Sequence, residues 1–230
     1  KPMCTNYEPF LDASFVRKFG AELPPVIFKP EAYPGYSAPI IRNSIGKTEH
    51  QISAVECITA RFGLIPYWAK PDDAEKGKMP FGTHNARAET VSEKTSFKHA
   101  WSNRQFCLIP AQSFYEPCWE SGKAVRWKMS LSSGEPFALA GIWEKWQHGE
   151  KVIESFTMLT VNADDHEIMK HMHRPSDEKR MPVILIEEDY KRWLNAKTEE
   201  ASQMCKAFST IKMVSKAAPL PPRIKRLNSI

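Results

Sequence analysis

Phe106-Cys107-Leu108-Ile109-Pro110 opens a stretch that runs on through Ala111-Gln112-Ser113-Phe114-Tyr115-Glu116-Pro117, an apolar and aromatic run that ends in a single carboxylate. An apolar segment of this length closed by proline predicts a strand over 106–110. Comparable β-branched or aromatic runs, bounded by Gly, Pro or Asn, predict further strands from Ser53 to Phe62, Ala124 to Ser130, Phe137 to Trp143, Phe156 to Val161 and Met181 to Ile186. Helical spacing is confined to three places. Phe10, Leu11, Ser14, Phe15 and Lys18 repeat at helical intervals within Glu8 to Phe19, with Gly20 as a stop. His166 to Met172 and Glu187 to Asn195 are the others, the latter with Glu187, Glu188 and Asp189 suited to a helix N-terminus. Pro24, Pro25, Pro30, Pro34 and Pro39 make 24–39 a loop. The fold class is therefore α+β, dominated by sheet, with a loose tail from Lys216 to Ile230 that carries Arg223, Lys225 and Arg226.

Composition narrows the class more than the chemistry. A chain of 230 residues, 42% hydrophobic and 11% aromatic, can bury a large core in one domain or two small ones. No internal repeat is visible. No apolar run is long enough to span a bilayer and no basic segment leads into an apolar stretch at the start, so a cytoplasmic protein without a membrane partner is expected. Cys4, Cys57, Cys107, Cys118 and Cys205 are irregularly spaced without a CxxC, which argues against a disulfide framework or a zinc knuckle, and no metal is expected. A formal charge of +5 suits a polyanionic partner and an ordinary soluble protein equally.

Five features carry chemistry. Removal of Met3 would leave Cys4 with an α-amine and a thiol on adjacent carbons. Such an aminothiol condenses with an aldehyde to an imine and then closes a thiazolidine, and its two groups, with ordinary pKa values near ~8 and ~8.5, are both partly deprotonated at neutral pH. The alternative is an ordinary cysteine in a frayed terminus. In Thr83-His84-Asn85-Ala86-Arg87-Ala88-Glu89-Thr90, Asn85 offers an amide that donates and accepts, Arg87 a fork of donors suited to phosphate, and Glu89 a partner for either; a solvated capping loop is the plain alternative. Glu116, buried after its aromatic run, would hold a proton to donate, whereas a strand-edge acid would not. His173 can shuttle protons near neutral pH in a field from Arg174, Lys179 and Arg180, with His171 as a rival. Among the aromatics, Tyr67 and Trp68 after Pro66, with Trp101, Trp119, Trp143 and Trp146, suit unstacked bases or, for most of them, the core.

Together these segments resemble one family. Met3-Cys4, Phe62-Gly63-Leu64-Ile65-Pro66 with Trp68, Asn85-Ala86-Arg87-Ala88-Glu89-Thr90, Arg104-Gln105-Phe106-Cys107-Leu108-Ile109-Pro110-Ala111 with Phe114-Tyr115-Glu116, Ala138-Leu139-Ala140-Gly141-Ile142-Trp143, Leu159-Thr160 with Asp164, and His173 ahead of Arg180-Met181-Pro182-Val183-Ile184-Leu185 resemble, in order, the SOS response-associated peptidase (SRAP) family from Cys4 to about Leu194. The resemblance implies a single domain over 1–215 with a barrel-like sheet and peripheral helices, followed by the tail at 216–230. It also implies a monomer that shields abasic sites in single-stranded DNA by crosslinking to them, without metal or cofactor. Cys4 then corresponds to the family's N-terminal cysteine, Asn85 to the asparagine of its Asn-Ala-Arg motif, Glu116 to its catalytic glutamate and His173 to its catalytic histidine. Arg87 and Arg180 would hold phosphates, Tyr67 and Trp68 would stack or wedge bases, and Thr160 falls near the family's active site. Two other functions remain open at this level: an autoprocessing peptidase in which Cys4, Glu116 and His173 release the residues ahead of Cys4, and a non-catalytic single-stranded nucleic-acid binder. The chain departs from the family in having Thr5-Asn6 where Gly-Arg is usual, in the longer segment between His173 and Arg180, which favours His173 over His171, and in the tail beyond Val214-Ser215. Lys1-Pro2 ahead of Met3 read as a remnant outside the natural start, or as a pro-segment.

Overall fold

The apolar runs build strands that extend well past their sequence signals. The computed structural model describes residues 6–45, 55–76 and 82–220. Among them the strands are β1 (Asn6–Pro9), β2 (Ser37–Asn43), β3 (Val55–Phe62), β4 (Asn85–Arg87), β5 (Phe106–Cys118), β6 (Val125–Leu131), β7 (Phe137–His148), β8 (Lys151–Asn162), β9 (Arg180–Pro182), β10 (Ile184–Leu185) and β11 (Met213–Ala217). The helices are short: α1 (Ala13–Arg17), α2 (Pro71–Lys76), α3 (Lys98–Ser102), α4 (Glu187–Asn195) and α5 (Thr198–Met204).

Five strands close a barrel. β2 pairs antiparallel with β3, β3 parallel with β8, β8 antiparallel with β7, β7 with β5, and β5 with β2. β5 and β7 are buried on both faces over Phe106–Ala111 and Phe137–Trp143, which is why they read as continuous apolar runs rather than as alternation. Outside the barrel wall, α4 lays Trp193 against β5. Its indole donates to the Cys107 carbonyl at 3.0 Å and its ring lies 4.9 Å from Phe106.

Pro110 does not end β5. Its carbonyl accepts from Phe10 N at 3.1 Å, on the side of β1, where the β1–β5 register shifts between Glu8 and Pro9. A strand residue's N–H and C=O face the same neighbour, so the donor that proline lacks falls at that bulge and not in the β5–β7 ladder. Pro9 also ends β1, and the helix predicted from Glu8 to Phe19 shrinks to α1, which starts where Asp12 Oδ1 accepts from Ser14 N at 2.7 Å. The helix predicted from His166 to Met172 becomes one 3-10 turn, Met169–His171. The tail begins later than expected, because Lys216 and Ala217 pair with Lys128 and Trp127 in β6; residues 221–230 lie outside the described set.

The barrel is tightest at Gly141. It stands opposite Cys107 on β5 and Met158 on β8, and a Cβ there would sit 2.8 Å from the Thr157 carbonyl oxygen, 2.8 Å from Ile109 Cδ1 and 3.0 Å from Cys107 Sγ. The side chains could turn aside, but the carbonyl belongs to the neighbouring strand. Gly141→Ala is expected to cost about 3 kcal/mol by overpacking, lowering Tm by roughly 6–12 °C for a domain of this size. Unchanged thermal unfolding would mean that β7 and β8 separate freely at this point.

Candidate functional site

The end of β5 gathers the acid and the imidazole. Glu116 is 2% exposed, and beyond it the chain from His171 to His173 lies alongside β5 as an added strand. Trp119 N donates to the His171 carbonyl at 3.2 Å, Cys118 bridges antiparallel to Met172, and His173 N donates to the Pro117 carbonyl at 2.6 Å. This brings His173 Nε2 to 3.2 Å from Glu116 Oε2, in ion-pair range although the angle is poor for a hydrogen bond. His173 has φ of 60°, in the left-handed region that non-glycine residues enter at a cost. His171, the sequence rival, turns outward and meets Glu120 Oε1 at 2.7 Å.

His173 owes its place partly to His166. The Nδ1 of His166 accepts from the backbone amides of Ile168 and Met169, both at 3.2 Å, and so starts the turn that leads to His173. A ring nitrogen that accepts two amides carries no proton, so the proton of His166 is on Nε2. Burial pushes the His173 pKa below its ordinary value of 6.5, Lys179 adds to that, and Asp177 opposes it. At neutral pH the ring is thus uncharged and able to take a proton.

Burial likewise lowers His84 and His166 below 6.5. The unfolded chain binds protons on these three rings at higher pH than the folded one does. Their contribution to stability is therefore whole above about 6.5 and falls as pH drops below it. The lowered carboxylates Glu8, Glu89 and Glu178 act in a separate window, below their ordinary 4.5. Thermal unfolding followed from pH 8 to 5 is expected to give a flat Tm above about 6.5 and a fall below it, shallower in His166→Gln. A flat profile throughout would show that these rings titrate normally in the fold.

Asn85 and Arg87 are placed by β8. The edge of β8 that pairs with β3 through Arg61–Ser155 and Phe62–Phe156 goes on to pair with β4, in the register Asn85–Met158, Ala86–Leu159 and Arg87–Thr160. Between β3 and β4 the chain leaves through Gly63, whose φ of 113° only glycine adopts easily, and whose N–H donates to the Phe156 carbonyl. Asn85 and Arg87 then line a cleft of about 620 Å³ together with Trp68, Thr83, Thr90, Lys94, Thr95 and Phe97. The Glu116–His173 pair is not part of that wall.

The two arginines differ in availability. Arg87 is half exposed and pairs with Glu178 Oε2 at 2.8 Å. Arg180, expected to hold phosphate, is 1% exposed and commits its donors internally: to Glu89 at 2.6 and 3.1 Å, to Glu178 Oε1 at 2.8 Å, and to the Thr160 carbonyl at 2.7 Å. This burial corrects the sequence expectation for Arg180. Burial works to raise the Glu89 pKa, but the Arg180 guanidinium outweighs it and holds the carboxyl below its usual range. Thr160 lies between Arg180 and β4, its hydroxyl 3.4 Å from the Ala86 carbonyl.

Tyr67 and Trp68 are both about half exposed, and Trp68 donates through Nε1 to the Thr95 carbonyl at 3.3 Å. Lys94, Thr95 and Phe97 were not singled out by the sequence, although they follow directly on the Asn85–Thr90 run. Cys4 lies outside the described residues. Among the described residues no group of three or more His, Cys, Asp or Glu is arranged to hold a metal ion, and no helix is long and apolar enough to cross a membrane.

A β-barrel that closes on itself and holds an acid and a neutral imidazole together at one strand end is equipped for proton transfer there. The family described as SOS response associated peptidase (SRAP) matches residues 3–224, and the chain belongs to it. A crystal structure of a protein from Bordetella bronchiseptica is 32% identical, covers 94% of this chain and 100% of its own, and superimposes with a TM-score of 0.84. Abasic site processing protein YoqW of Bacillus subtilis (strain 168) is 38% identical over 143 residues, 61% of this chain and 58% of that protein. Abasic site processing protein HMCES of Pongo abelii is 28% identical over 178 residues, 63% of this chain and 47% of that protein. The chain thus spans less than two thirds of the length of these curated relatives.

Proposed function

We propose that this chain senses abasic sites in single-stranded DNA and shields them by a covalent thiazolidine crosslink through Cys4. One observation carries the reading. Asn6 on β1 is paired with Tyr115, one residue before Glu116, and Glu116 faces His173. Two residues of chain reach at most about 7 Å, so Cys4 is tethered close to this acid–imidazole pair. Two carboxylates hold β1 there: Glu8 accepts from Lys128 at 2.6 Å and Ser113 at 2.9 Å, and Glu31 accepts from Asn6 at 2.8 Å and Arg126 at 2.6 Å. The internal thiols compete poorly. Burial pushes Cys57 and Cys205 up to about 12 and Cys107 higher still, so they stay protonated.

In the proposed reaction Glu116 gives a proton to the ring oxygen of the abasic sugar, opening it to the aldehyde. The Cys4 amine adds to the aldehyde carbon. His173 takes a proton from the ammonium, the carbinol oxygen leaves as water, and an imine remains. The Cys4 thiolate then adds to the imine carbon and the nitrogen takes up a proton, which closes the thiazolidine with the net loss of one water. Asn85 orients the sugar, Arg87 exchanges Glu178 for phosphate, and Trp68 and Tyr67 stack on bases. Arg180 and Thr160 serve by fixing β4 and the two acids rather than by touching DNA.

The test is an oligonucleotide with one abasic site, incubated with the protein and resolved on a denaturing gel. A shifted, heat-resistant band is expected with the abasic strand and none with an undamaged one. Binding without such a band would leave a non-covalent binder in its place.

A further inference from the structure

We infer that the track for single-stranded DNA continues past the cleft to a phosphate site at His99. The inference rests on reading the cleft as the DNA site. His99, on α3, places Nδ1 2.8 Å from Oε2 of Glu144, a carboxylate on β7 that is 3% exposed. The other oxygen of Glu144 accepts from Gln105 Nε2 and from the Lys145 amide, both at 3.2 Å, so the carboxylate is fixed. A carboxylate against Nδ1 keeps the proton on that nitrogen and aims Nε2 away from it. The imidazole side chain is 40% exposed.

Its neighbours on the open side suit a nucleotide. The ring of Tyr67, 54% exposed, lies 4.2 Å from that of His99, and Trp68 follows at 47% exposed with its indole bound to Thr95. Trp68 and Thr95 are themselves part of the wall that holds Asn85 and Arg87. Cleft, two open aromatic faces and an oriented imidazole thus form one continuous ledge, and Lys94 and Lys98 are exposed beside it. Bases stack on aromatic faces without regard to sequence, and the phosphate between them needs a directed donor. If Glu144 and His99 served only to tie α3 to the barrel, neither the exposure of the ring nor the open Tyr67 against it would be needed.

The test uses undamaged fluorescent oligothymidylates of about 4 to 16 nucleotides, with affinity read by anisotropy across a salt series. Wild-type affinity is expected to rise with length until the strand reaches the ledge. His99→Gln, which can still bond to Glu144, is expected to lose about five- to tenfold on the long strands and less on the shortest. The slope of log affinity against log salt should shrink by about 0.7, one phosphate contact on a single strand. His99→Lys should regain that slope, which a merely structural role for His99 would not predict. Equal behaviour of His99→Gln and wild type at every length, or no binding of undamaged strands by wild type, overturns the inference. Crosslinking to an abasic strand is scored separately. A protein that crosslinks while His99→Gln changes nothing keeps the proposed function and loses this site, and one that binds through His99 without crosslinking does the reverse.

Discussion

Protein that begins at Cys4 is expected to gain the mass of an abasic oligonucleotide less one water, and protein that retains Lys1-Pro2-Met3 is expected to gain nothing. The difference follows from covalent chemistry. With Met3 attached, the nitrogen of Cys4 is an amide whose lone pair is delocalised into the carbonyl, so it cannot condense with an aldehyde. The effect is all or none, because no rearrangement of the fold restores a lone pair. Intact-mass spectrometry of the two forms reads it directly. Crosslinking by an extended form that stays extended would remove the aminothiol mechanism and point to a lysine or to the Cys4 thiol alone. An extended form that trims itself, and ceases to do so as Glu116→Gln, would instead place peptide cleavage and crosslinking at one site.

Glu116→Gln in protein that starts at Cys4 is expected to slow crosslinking about 100-fold or more while leaving DNA affinity within about twofold. Glutamine keeps the shape and the neighbours of the side chain, which is 2% exposed and faces His173 at 3.2 Å, but it has no acidic proton to give to the sugar oxygen. Affinity rests on phosphate contacts and stacking, which lie along the cleft and not at the end of β5. Single-turnover rates and anisotropy on the same preparation separate the two quantities. Parallel loss of both would make Glu116 a structural residue.

What the sequence disclosed depended on how each element is buried. β5 and β7 are visible because both their faces are covered, and α4 because its period and its acidic start agree. β2 was hidden by Pro39, which stands in the strand opposite Thr59, inside a segment whose prolines read as loop. β1 was masked by the helical spacing of the residues that follow it. β4 has three residues and no pattern of its own, since its conformation is supplied by the edge of β8. The site shows the same division. Glu116 and His173 were each legible as candidates from residue chemistry, but the backbone bond from His173 to Pro117 that joins them exists only in three dimensions. Arg180 reads as a free cation until the fold sets Glu89 and Glu178 against it, and no local signal announces that neutralisation. His99 and Glu144 are unremarkable in sequence and meet only because α3 packs on β7.

The parallel pairing of β3 with β8 has a consequence for any attempt to dissect the chain. The barrel has no free strand within its ring only because β8, late in the sequence, fits between β7 and β3, which precede it. A fragment that stops before Lys151 would leave one side of β3 and one side of β7 with rows of unsatisfied amides and carbonyls, each an invitation to pair with another molecule. The same fragment would leave Asn85 to Arg87 without the strand that aligns them. Barrel integrity and the alignment of the cleft are thus completed by the same twelve-residue strand, and neither half of the molecule can be expected to remain soluble and partly active by itself.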